Sequence, residues 1–246
     1  MNHLIIDTEY TWAPGHEQLD AEGKPKVPHP PNAVVQSIAF VWLRADVSGA
    51  KVKMGVVRGH DEASRLRLFL DGLSKTNNPT LVTFNGRGSD VPLITARLMR
   101  HGIQSAQWAL IHAANRYREG DHVDLYDLLG LHGAQRRGGL DEWARCIGWP
   151  GKLGVDGSQV APLLAAGKRD EVDAYCLCDA VQTAALFIRH QFASDAIDQV
   201  TYLEAAGALL TAAERDERTE AMAGMVDHET WFLGQKERAA QMAEAS

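Results

Sequence analysis

The stretch "HLIIDTEYTW", residues 3–12, limits this chain most. Its apolar run marks a strand bound for an interior, yet it ends in Asp7 and Glu9, which on an extended chain project to the same face. Two carboxylates side by side repel. A buried strand that ends this way needs something to offset them.

The rest of the chain supplies the elements of a layered α/β protein. Residues 3–8 read as a first strand, and "AVVQSIAFVW" and "KVKMGVV" as the next two, so the chain is expected to open with an antiparallel meander. The segment between the first two strands, "APGHEQLDAEGKPKVPHPPN", is too long and too rich in Pro and Gly for a tight hairpin. It reads as a loop overhanging the end of strand one. Asp61 can cap a helix to about Lys75, "TLVTF" is a short buried strand, and a second helix is expected from Asp90 to His101, stopped by Gly102. "HVDLYDLLG" reads as a fifth strand running into a helical turn. This order predicts a mixed central sheet with strands one to three antiparallel, strands four and five parallel, and helices on both faces.

After the sheet the pattern is helical, with its longest helix over residues 169–191 and another over Val200 to Ala213. The expected division is a domain over 1–192 and a helical extension over 193–246. The charged, poorly patterned "AAERDERTEAM" predicts a last thirty residues that are solvated, used in an oligomer contact, or partly disordered.

Composition narrows the function. The formal charge of −7 argues against a protein that grips nucleic acid by a broad basic surface, but not against a nucleic-acid enzyme whose acidic site holds divalent ions. Three cysteines and no secretory leader fit a reducing cytoplasm, and no run of about 18 apolar residues predicts a membrane span. Cys176 and Cys178 point about 200° apart on a helix and read as core, not as a metal pair.

Asp7 and Glu9 at a strand end, Asp90 at a helix start and Asp179 on the long helix can converge at one sheet edge. Four oxygen donors of this kind favour magnesium or manganese. Tyr175 stands four residues before Asp179, on the same helical face. Each pattern is weak alone, since Asp20 with Glu22 and Tyr117 with Asp121 repeat two of the spacings in poor contexts. Asp124 and Asp127 are left out of the metal set as structural.

Taken in order, "IIDTE", "FNGRGSD" and "YCLCD" resemble the three motifs of the DEDD superfamily of 3′→5′ exonucleases, in the branch with Tyr in the third motif. The resemblance spans about residues 3–190. "FNGRG", "HVDLYDLLG", "LDEWARCIGWPGK" and "YCLCDAVQT" are most similar to stand-alone bacterial proteins related to the proofreading domain of family B DNA polymerases. It implies a ribonuclease H-like fold and two-metal hydrolysis of single-stranded nucleic acid from its 3′ end, DNA favoured, releasing nucleoside 5′-monophosphates. Asp7, Glu9, Asp90 and Asp179 would hold two Mg²⁺ or Mn²⁺ ions, with Tyr175 orienting the attacking water. Thr8, Asn85, Arg87, Ser89, Arg136, Arg137 and Lys152 are the expected strand contacts, with Arg116 and Arg118 as further loop cations. Ser89 departs from the pattern, because the proteins it resembles commonly carry Phe there. No polymerase domain is recognisable, so proofreading within this chain is not expected. The alternatives are an exoribonuclease, or a non-catalytic nucleic-acid-binding or interaction module on the same fold.

Overall fold

The computed structural model describes residues 1–23, 26–46, 49–117, 120–134, 138–154 and 157–234. Five strands form one sheet: β1 (Asn2–Trp12), β2 (Ala33–Asp46), β3 (Gly49–Val56), β4 (Thr80–Thr83) and β5 (His122–Asp124), in the spatial order β3-β2-β1-β4-β5. β1 and β2, and β2 and β3, run antiparallel, while β4 lies parallel to both β1 and β5. The mixed sheet expected from the element order is therefore present, with β1 at its centre.

Alternation along β1 and β2 sends side chains into two apolar layers. On one face Leu4, Ile6, Val35, Ile38 and Leu81 meet α1 (Glu62–Lys75), α2 (Asp90–His101) and α3 (Ala106–Ala113). On the other, Ile5, Ala39, Val41, Leu43, Val82 and Val123 meet a helical layer. It comprises α4 (Leu125–Leu129), α5 (Leu140–Cys146), α7 (Arg169–Ala193), α8 (Gln199–Glu214), α9 (Glu220–Ala223) and α10 (His228–Trp231), while α6 (Val160–Ala165) packs on α7 and β1. The pairing register of β1 and β2 shifts between Glu9 and Tyr10, so Gln36 is an extra residue on β2 opposite the end of the carboxylate pair. Such bulges twist a strand and re-aim its side chains.

Helix boundaries follow local chemistry. Asp61 accepts from the Ser64 amide at 2.7 Å and starts α1 through a capping box, and Gly102 ends α2 in the left-handed conformation. The sequence pattern missed α3. Only Trp108 and Ile111 of that helix are buried, too few for a periodic signal, and it is started by Ser105 accepting from the Trp108 amide.

The charged segment after α8 is not solvated throughout. Thr219, Met222, Val226, Trp231 and Phe232 are buried, Trp231 completely, and Trp231 stacks edge-on against Trp149. A few large side chains, widely spaced, anchor a segment whose composition reads as polar. Residues 235–246 lie outside the described residues. Among those described, no helix is long and apolar enough to cross a membrane.

Candidate metal centre

Because Asp7 and Glu9 continue the face of Ile5, they point at α7, and α7 presents Asp179 to them. One carboxylate oxygen from each of Asp7, Glu9 and Asp179 lies within 4.8 Å of the other two. Thr8 faces the opposite layer, where its hydroxyl donates to Asp90 Oδ1 at 2.6 Å. Asp90 thus approaches the strand end from the far side of the sheet and stands outside the compact trio.

Burial raises the carboxyl pKa values, and mutual repulsion adds to it. Asp7 is held well above the usual range by burial and then by Glu9, Asp179 and Asp90. Glu9 is pushed to about 8 by burial and then by Asp179 and Asp90. Asp90 and Asp179 each rise to about 6, chiefly by burial; the Thr8 bond opposes the rise at Asp90, and Lys152 opposes it at Asp179. Asp7 as a residue is partly accessible, yet its Oδ2 is covered and has no hydrogen-bond partner. An unpartnered buried oxygen among crowded carboxylates, with no nitrogen or sulfur donor in the trio, fits a hard divalent cation.

Tyr175 and Lys152 flank the trio. Lys152 Nζ donates to Tyr175 Oη at 2.9 Å and sits 5.4 Å from the centre of its ring. Tyr175 in turn hydrogen-bonds Asp179, and burial next to three carboxylates raises its phenol pKa. The loop carrying Lys152 is fixed by Asp141, whose Oδ1 accepts from the Lys152 amide at 2.6 Å and from Arg145 at 3.0 Å. A Cβ on Gly151, at φ +78°, would stand 2.3 Å from that same oxygen.

The "FNGRGSD" loop is shaped by residues that sequence reasoning treated as bystanders. Asp124 accepts from the amides of Asn85 and Arg87, both at 2.8 Å, and from that of Tyr126 at 3.0 Å. Thr83 Oγ1 accepts from the Gly86 amide at 3.2 Å and meets His122 Nε2 at 2.8 Å. The position of Asp124 at the end of β5, next to a strand ending in a motif, was the available signal.

The remaining expected contacts divide. Arg87 bonds the carbonyls of Ala114 and His122 at 2.9 and 3.0 Å, and Arg116 forks onto Asp127 at 2.8 and 2.5 Å, so both guanidiniums brace this loop region. Asn85 is exposed, with a left-handed backbone at φ 66°. Ser89 precedes α2 without capping it by its side chain, and bonds the Tyr10 hydroxyl. An aromatic ring from β1 therefore lies beside Ser89. Tyr10 and Ser89 share a cleft of about 230 Å³ with His29 and Pro30 of the long loop. Arg118, Arg136 and Arg137 lie outside the described residues.

A further link was not anticipated: Cys176 Sγ donates to the carbonyl of Asp7 at 3.3 Å and also bonds Ser37, whose hydroxyl donates to Asp173 at 2.7 Å.

The model of a family described as a predicted 3′-5′ exonuclease related to the exonuclease domain of PolB matches residues 27–228. The chain belongs to this family. The match takes in Asn85 to Asp90, Lys152 and Tyr175 to Asp179, and begins after Asp7 and Glu9. In fold, this member of the PolB-related exonuclease family is similar to the family B DNA polymerase of the hyperthermophilic archaeon Pyrobaculum calidifontis, with a TM-score of 0.53 at 16% identity. That match covers 87% of this chain and 29% of the polymerase chain, and it speaks for the fold alone. No curated protein matches the chain in sequence. Exonuclease domains of this kind use divalent metals, and the acidic trio is the candidate holder.

Proposed function

We propose that this protein removes nucleotides from the 3′ end of single-stranded nucleic acid, DNA in preference to RNA, by metal-dependent hydrolysis. The observation that carries the reading is the meeting of Asp7, Glu9 and Asp179 within 4.8 Å, with Tyr175 and Lys152 alongside.

In this reading Asp7, Glu9 and Asp179 hold divalent ions, and Asp90, steadied by Thr8, contributes from the far side of β1. When bound, Mg²⁺ or Mn²⁺ supplies a more acidic water and offsets charge on the leaving oxygen. The water oxygen bonds to phosphorus, the bond from phosphorus to the 3′-oxygen of the preceding nucleotide breaks, and a nucleoside 5′-monophosphate leaves.

Tyr175 works as a donor and not as a base. Its phenol stays protonated across the working range, Lys152 occupies the oxygen as donor, and the hydroxyl proton is directed at Asp179, which it orients. Lys152 also offsets negative charge at Glu9 and Asp179. Thr8 and Arg87 act on the site indirectly, through Asp90 and through the carbonyls of Ala114 and His122.

The test is to incubate 5′-labelled single-stranded DNA and RNA with Mg²⁺ or Mn²⁺. The expected result is a ladder shortening from the 3′ end, faster on DNA. No shortening with either ion, or shortening that persists in Asp179→Ala, overturns the reading.

A further inference from the structure

The bulge opposite Glu9 frees two carbonyls of β2, and two arginines take them. Arg65 Nη1 donates to Val35 O at 2.8 Å, and Arg169 Nη1 donates to Gln36 O at 2.8 Å. Arg65 is 7% exposed, yet neither it nor Arg169 forms a salt bridge among the described residues. A buried guanidinium is ordinarily matched by a carboxylate. The acids around it are already engaged: Asp173 accepts from Ser37, Glu62 from Arg97 and His101, and Asp61 from the start of α1. Burial and then the neighbouring Arg169 charge depress the Arg65 pKa, with Asp173, Glu62 and Asp61 opposing in part, so the two cations repel across a shared space.

That space is a cleft of about 190 Å³ between the β3–α1 connection and the start of α7, completed by Arg58. Arg58 is largely exposed; it lies 3.8 Å from Asp170, and its charge also acts on Asp216. Three guanidiniums and two carboxylates line the cleft, and among the described residues none of the three is fork-paired with an acid. The cleft lies at the same sheet end as the carboxylate trio. Ser37 is the register partner of Glu9, and Arg169 precedes Asp179 on α7 by ten residues, or about 15 Å at the rise of an α-helix.

We propose that Arg58, Arg65 and Arg169 form an anion site that takes a phosphate group. Its planar donors suit phosphate oxygens, and a bound oxyanion offsets the repulsion between Arg65 and Arg169. The phosphate has two possible sources: a phosphodiester of the strand running to the metal centre, which rests on the nuclease reading, or the phosphomonoester of a free mononucleotide, which does not.

The experiment measures binding without cleavage, on the full chain in EDTA. Arg65→Gln would leave the Val35 carbonyl unbonded and can unfold the chain, so Arg58→Gln and Arg169→Gln, both at exposed positions, carry the test. If the site grips the strand, affinity for a labelled single-stranded oligonucleotide falls about three- to tenfold in each variant, and the salt slope flattens by about 0.7 per arginine. If it takes a mononucleotide, inorganic phosphate or 5′-dAMP raises the melting temperature of the natural protein and not of the variants. Either result supports the site. Strand and phosphate binding both indifferent to the two substitutions, in a protein that still digests DNA with Mg²⁺, overturns the site and leaves the nuclease reading standing. Arginine-dependent stabilisation by phosphate, in a protein that digests nothing, does the reverse.

Discussion

Asp179 is a buried carboxylate whose charge repels those of Asp7 and Glu9, offset only in part by Lys152 and Tyr175. Asp179→Asn keeps the shape and removes one repelling charge, so it is expected to abolish divalent-dependent digestion while holding or raising the melting temperature in EDTA. Activity assays and thermal melts on the same preparation check this; a variant that digests at near the natural rate removes Asp179 from the metal set. Tyr175 and Lys152 separate by charge. Tyr175→Phe deletes one oriented hydroxyl and is expected to slow single-turnover cleavage about ten- to a thousandfold with little change in substrate Kd. Lys152→Met keeps much of the stem but loses the charge that offsets Glu9 and Asp179, so it is expected to slow cleavage and also raise the Glu9 pKa further. Equal, unchanged rates in both variants would return the pair to packing.

Among the elements, the turn between β4 and α2 is the most tightly specified. Asp124 holds two of its amides, Thr83 a third, and the Val91 amide closes onto the Gly86 carbonyl at 2.8 Å. A Cβ at Gly86 would stand 2.3 Å from Thr83 Oγ1, which cannot move without releasing both the Gly86 amide and His122. Gly86→Ala is therefore expected to destabilise the fold by about 1–3 kcal/mol. For a chain of this size that is read as a melting temperature lower by about 2–4 °C per kcal/mol. Hydrogen exchange at the Asn85 and Arg87 amides should rise in the same variant. Unchanged protection there would show that the Thr83 contact does not organise the turn.

At the scale of the whole molecule, the acidic centre makes stability depend on pH in a direction opposite to ordinary acid denaturation. Glu9 titrates near 8 in the fold against about 4.3 in an unfolded chain, so the native state binds the extra proton between those values. Its contribution to stability is complete below the unfolded value and is lost as pH rises through about 8. The buried histidines act in the other sense: burial lowers His3 to about 4 and His122 to about 3, and the stability tied to them is lost as pH falls below about 6.5. Both are neutral in folded and unfolded chains above that point, so the interval from about 6.5 to 8 isolates the carboxylates. In EDTA the melting temperature is expected to fall across that interval, and Glu9→Gln is expected to flatten the fall. Saturating Mg²⁺ or Mn²⁺, which binds the ionised form, should flatten it too. A flat profile in EDTA would mean that Glu9 ionises freely without metal.

Much of the sheet was legible because its signals are local. Alternation along β1 and β2, the Asp61 cap and the Gly102 stop depend on residues adjacent in sequence, and so does the projection of Asp7 and Glu9 to one side. The order of the three motifs carried the family for the same reason. What depends on partners far apart in sequence was not legible. Nothing in a one-dimensional pattern reveals that Thr8 turns to Asp90 on the opposite face, that Lys152 reaches Tyr175, or that Asp124 holds the turn before Asp90. The bulge at Gln36 is invisible in composition, yet it frees the carbonyls that fix Arg65 and Arg169. Trp231 reads as one aromatic in a polar tail until α7 and α8 close around it. Sequence by itself determined which residues carry charge and which face of a strand they leave by. Only the tertiary structure decided which charges meet, because packing brings together groups that chain connectivity leaves independent.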